Sequence, residues 1–122
     1  MFQAANAFFT KFKATRGIVD QVLQLGVDTS STNAAAISLT SVVTALVSAS
    51  GGADTRTLAD GKPGQLKVLF YMTDSTSCVV TPAHLYNGTT ITFTDVNEAW
   101  IGVFYAGEWH TIAGGAEVVT IG

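Results

Sequence analysis

From Ala35 to Ala49 every second residue is apolar, with Ser41 the one exception. Of the eight even positions from 36 to 50, five are Ser or Thr. Side chains alternate faces along a strand, so this period of two predicts one long bent strand or two shorter ones. Ser50-Gly51-Gly52 ends the run. Further strands are expected at Thr55–Leu58, after which Asp60-Gly61-Lys62-Pro63-Gly64 reads as a turn. Leu66 to Thr73 is the strongest strand signal. Leu66, Val68, Phe70 and Met72 fall on one side, with Leu69 and Tyr71 on the other. A strand apolar on both faces belongs at the centre of a sheet, covered on both sides. Cys78–Thr81 is a short strand ending at Pro82, and Asn87-Gly88 is a tight-turn signal. Thr90–Thr94 alternates cleanly, and 100–105 and 108–112 flank Ala106-Gly107 as a second hairpin. About seven short strands with turns between them predict a mainly β fold, an antiparallel β-sandwich or barrel.

The chain has 122 residues, enough for one small core. Its organisation reads as an N-terminal arm and linker over 1–33 and a β-rich body over 34–122. In the arm, Ala5, Phe8, Phe9 and Phe12 recur with the spacing of one helix face, so the arm is expected to be partly helical. Gly17 would end that helix. Residues 18–27 fit a helix or a strand. Residues 28–33, Asp-Thr-Ser-Ser-Thr-Asn, read as a polar linker. The arm either folds back on its own core or inserts its aromatic residues into a partner.

Only 12% of residues are charged, about half the usual share for a soluble domain. A surface this poor in charge implies that part of it is hidden in an assembly, or that it is covered by Ser and Thr. The charge is also uneven. Lys11, Lys13 and Arg16 give residues 1–19 a charge of +3, leaving −6 of the net −3 to the remainder. A basic, Phe-rich end on an acidic body suggests an arm that docks on something acidic. The expected partner-binding residues are therefore Phe2, Phe8, Phe9, Phe12, Lys11, Lys13 and Arg16. Three basic residues are too few for a nucleic-acid footprint, and no stretch is long enough for a membrane span.

No catalytic constellation stands out. His84 and His110 are the only histidines, and Cys78 is the only cysteine. An intramolecular disulfide and a cysteine-built zinc site are both excluded, and metal-ligand spacing is absent. No serine or cysteine sits on a nucleophile turn. A non-enzymatic chain without cofactor or metal is expected. Trp100, Tyr105 and Trp109 cluster about the second hairpin, either as hydrophobic core or as glycan-facing aromatics.

The stretch Thr57-Leu58-Ala59-Asp60-Gly61-Lys62-Pro63-Gly64-Gln65-Leu66-Lys67-Val68 carries a resemblance. With Thr81-Pro82-Ala83-His84-Leu85, Asn87–Phe93 and Gly107–Gly114, it resembles virion structural proteins of tailed phages, cyanophages and other marine phages above all. The resemblance covers roughly residues 55–115 and has no catalytic residues to carry over. It implies one of two β-modules, both usually homotrimeric. One is a capsid decoration (cement) protein that binds the outer capsid surface and stabilises the shell. The other is a tail- or head-fibre knob or adhesin that binds host-surface glycans. The shortness of the chain favours the first. Its partners would be the major capsid protein and neighbouring copies of itself, with no nucleic acid and no membrane. It would be made in the host cytoplasm.

Overall fold

The structure is a computed structural model that describes residues 24–48, 52–73, 76–114 and 120–122. Among these residues there are ten strands and no helix. They form two mixed sheets of five strands each, and neither closes into a barrel. The first sheet holds β1 (Val27–Ser30), β3 (Val43–Leu46), β5 (Leu66–Tyr71), β8 (Ala99–Tyr105) and β9 (Glu108–Ala113), side by side in that order. The second runs in the order β10 (Thr120–Ile121), β7 (Ile91–Phe93), β6 (Cys78–Pro82), β4 (Asp54–Leu58) and β2 (Ala35–Ala36).

The expected antiparallel pairing holds only for the second half of the chain. From β1 to β6 the chain alternates between the sheets, and successive strands within each sheet are parallel. A parallel pair needs a long crossover, and here the crossover for each sheet is a strand of the other. The winding gives way at β7 to antiparallel pairs, β6 with β7, β5 with β8 and β8 with β9. The β8–β9 hairpin turns through Ala106 and Gly107, both at positive φ (53° and 81°), the geometry a two-residue turn requires.

Of the two readings of the period-two run over 35–49, the structure has two shorter strands, β2 and β3, with an irregular segment between that still buries Ile37. The polar stretch 28–33 is not a plain linker. Asp28 to Ser30 belong to β1, which pairs with β3 from Val27 to Ser30. Asp28 accepts a hydrogen bond from Thr44 Oγ1 at 2.6 Å, and Ser30 Oγ accepts one from Arg56 Nε at 2.9 Å. These polar side chains are inward-facing strand residues. Residues 1–23 of the arm and linker expected over 1–33, the partly helical segment included, lie outside the described residues.

Between the sheets the core is apolar at one end. Leu58, Cys78, Val80, Ile91 and Phe93 of the second sheet meet Leu46, Leu69, Tyr71, Trp100, Phe104 and Trp109 of the first. Trp109 packs edge-on against Trp100 and Phe104, at 6.2 and 5.2 Å between centroids. Gly102 sits where the Trp100 indole crosses β8, and a Cβ there would stand 2.1 Å from that ring. Both indole N–H groups are satisfied, Trp100 Nε1 by Thr111 Oγ1 and Trp109 Nε1 by the Ala59 carbonyl, each at 2.9 Å.

Cys78 is buried in this core, as its apolar neighbours in sequence imply. Burial pushes its thiol up from 9.0 to about 11; Arg56 pulls the other way and Asp54 adds to the rise. The fold favours the neutral thiol, so its contribution is fully present below pH 9 and is lost as pH climbs through 11. Two pH units correspond to about 2–3 kcal/mol. The stability difference between the wild type and Cys78→Ala in urea should shrink by roughly that amount between pH 9 and 11. Taking the difference cancels the opposite trend of Lys67, whose ammonium is disfavoured by burial. A difference that stays flat across this range would show that the thiol is not held in the core.

Candidate functional site

The other end of the space between the sheets is polar. Lys67 and Arg56 are fully buried there, both at 0% exposure, with Thr44 and Asp54. Lys67 Nζ donates to the Ser38 and Ser41 carbonyls at 2.6 and 2.7 Å and to Thr44 Oγ1 at 2.6 Å. Arg56 donates to Ser30 Oγ, to the Thr55 and Val47 carbonyls, each at 2.9 Å, and pairs with Asp54 at 3.5 Å. Two cations inside a small β core are costly unless fully hydrogen-bonded, which these bonds provide. They also lace the winding together, since Arg56 on β4 reaches across to β1 and to the residue after β3.

The outer face of the first sheet is the reverse. Register puts Val27, Val43, Val68, Ile101 and Ala113 in one row across all five strands. Thr29, Ala45, Phe70 and Ala99 form a second row, and Leu66 and Val103 begin a third. Among the described strand residues on this face the only acid or base of fixed sign is Glu108, at its far corner. Leu66 and Phe70 are each 39% exposed and Val27 is 64% exposed, and Met72 just beyond β5 is also exposed. The two-sided apolar strand expected at 66–73 is thus central; among the described residues its outer face is buried at Val68, 8% exposed, and open at Leu66 and Phe70. Parallel strands are normally covered on both faces, and β1, β3 and β5 are parallel. On these three strands the inner face mixes the polar Asp28, Ser30, Thr44 and Lys67 with the apolar Leu46, Leu69 and Tyr71, while the outer face is apolar except for Thr29.

The structure separates the three aromatics considered as glycan-facing. Trp100 and Trp109 are core residues at 0% exposure, and only Tyr105 faces solvent, at 66%. Phe2, Phe8, Phe9, Phe12, Lys11, Lys13 and Arg16 lie outside the described residues. The exposed aromatic that sequence reading passed over is Tyr86, which stacks on His110 with centroids 4.9 Å apart. Its position beside the Asn87-Gly88 turn gave no sign of this, because His110 is far away in sequence. No group of three or more metal-ligating side chains occurs among the described residues.

No protein-family model matches the chain, and no curated protein is significantly similar to it.

Proposed function

We propose that this chain is a non-enzymatic structural protein that works by packing the outer face of its first sheet against neighbouring chains. The supporting observation is the nearly charge-free apolar outer face of β1, β3 and β5, beside an interior that buries Lys67 and Arg56. A lone monomer gains nothing by burying Lys67 and Arg56 while leaving Val27, Leu66 and Phe70 in water, whereas a subunit does. The occupant is a second and third copy of the same chain. A nearly charge-free face buried around a closed symmetry axis leaves no unsatisfied surface, and the charge poverty of the whole chain fits that arrangement.

The resemblance over residues 55–115 supports a place for this module in a virion. We read it as a trimeric decoration protein on the outer capsid of a tailed phage. Packed genome strains such a shell, and many weak repeated contacts add up to a firm clamp. The Phe-rich basic arm would make the contact with the major capsid protein. Each fully buried phenylalanine contributes roughly 1.5–3 kcal/mol, while Lys11, Lys13 and Arg16 steer the approach.

Co-sedimentation with undecorated capsids of the source phage tests this. Wild type should pellet with the capsids, and Phe8→Ala with Phe12→Ala should stay in the supernatant at any salt. Lys11→Ala with Lys13→Ala should bind more slowly at low salt only. Wild-type protein that never pellets would remove the capsid role, and a double phenylalanine variant that pellets normally would move the contact to the β body.

A further inference from the structure

We propose that the corner of the first sheet around Tyr86, His110 and Tyr105 is a binding platform for neutral glycans, at the hairpin end of the outer face whose β1, β3 and β5 side is the assembly surface. The backbone builds it. Residues 84–86 run alongside β9: Trp109 N donates to the His84 carbonyl at 3.0 Å, and Tyr86 N donates to the Trp109 carbonyl at 2.9 Å. Leu85 bridges to Trp109, and both turn inward and are buried. Their neighbours His84, Tyr86, Glu108 and His110 therefore turn outward, and Tyr105 pairs with Glu108 across the hairpin.

The rings are held in place. His110 Nε2 donates to the Tyr105 carbonyl at 3.1 Å, Tyr86 stacks on the His110 ring at an interplanar angle of 26°, and the Tyr105 ring lies 6.4 Å from it. Yet Tyr86 is 51% exposed and Tyr105 66%. Fixed, exposed tyrosine rings offer flat apolar faces at little entropic cost. The C–H face of a pyranose ring complements them. Hydroxyl groups around the sugar need acceptors, and Asp60 and Glu108 supply carboxylates. Asp60 is oriented by His84 Nδ1 at 2.9 Å. Beside the rings a cavity of about 370 Å³ shares His84 and Glu108 in its lining, with room for an adjoining residue of an oligosaccharide. Two carboxylates and no lysine or arginine in this group disfavour acidic sugars.

NMR titration of isotope-labelled full-length protein with lactose, maltotriose and chitotriose tests the site. At least one of these should shift backbone amides of residues 84–86 and 105–110 at millimolar concentration. Tyr86→Ala and Tyr105→Ala should each weaken that binding about tenfold, while Tyr86→Phe keeps it, and a sialylated lactose should bind more weakly than lactose. Tyr105 lies next to the hairpin turn, so its variant is informative even if Tyr86→Ala folds poorly. Absence of shifts with all three sugars, shifts confined to other regions, or alanine variants that titrate like wild type would overturn the proposal. None of these outcomes alters the assembly reading, which is measured by mass.

Discussion

Arg56→Ala should lower unfolding stability by about 3–5 kcal/mol, enough to unfold much of a small domain at ambient temperature. The size follows from what the guanidinium leaves behind. Asp54 is fully buried beside it, and removing the cation takes the compensating charge away from that carboxylate in a low-dielectric interior. Ser30 Oγ and the Val47 carbonyl lose their donors at the same time. Arg56→Lys should recover only part of the loss, because one ammonium cannot reproduce a planar fork that reaches Ser30, Thr55 and Val47 in different directions. Urea denaturation of the three proteins measures this. An Arg56→Ala protein within about 0.5 kcal/mol of wild type would show that the hydrogen bonds of Arg56 to Ser30 and Val47 are not what joins β4 to β1 and β3.

The same residue shows where sequence reading stops. Arg56 and Lys67 look like ordinary surface charges, since a cation in an alternating strand is usually the solvated position. Their burial depends on acceptors distant in sequence, Ser30 and Val47 for one and Ser38, Ser41 and Thr44 for the other. For the same reason Asp28 and Ser30 passed for linker residues. Strand existence was legible wherever side chains alternate, as at Asp54–Leu58, Leu66–Tyr71 and Ala99–Tyr105. Strand direction was not. A period of two records which face a residue occupies but not which way its neighbour runs, so the parallel winding of β1–β6 left no local mark. Hairpins do leave one, and Ala106-Gly107 was read correctly. In the candidate surface, Leu66, Phe70 and Met72 were identified as one apolar side of a central strand; that this side stands open required the whole sheet. Trp100 and Trp109 illustrate the opposite error. They share a hairpin with Tyr105 in sequence, but strand alternation and the Gly102 gap send both indoles inward.

The second large effect concerns assembly. Phe70 lies on the outer face between Ala45 and Ala99 and is 39% exposed in the single chain. A charge there costs an isolated subunit little, since it stays in water. In a trimer that buries this face, the same charge is desolvated without a partner, a penalty of several kcal/mol for each copy. Phe70→Glu should therefore leave the thermal transition of the subunit in place and abolish association, and Leu66→Lys on the neighbouring row should do the same. Sedimentation equilibrium at micromolar concentration measures the outcome directly. The wild type should have three times the chain mass of 12.7 kDa and Phe70→Glu a single chain mass. A wild type that sediments as a monomer, or a Phe70→Glu protein that still sediments as a trimer, would contradict the claim that this sheet face holds the assembly together.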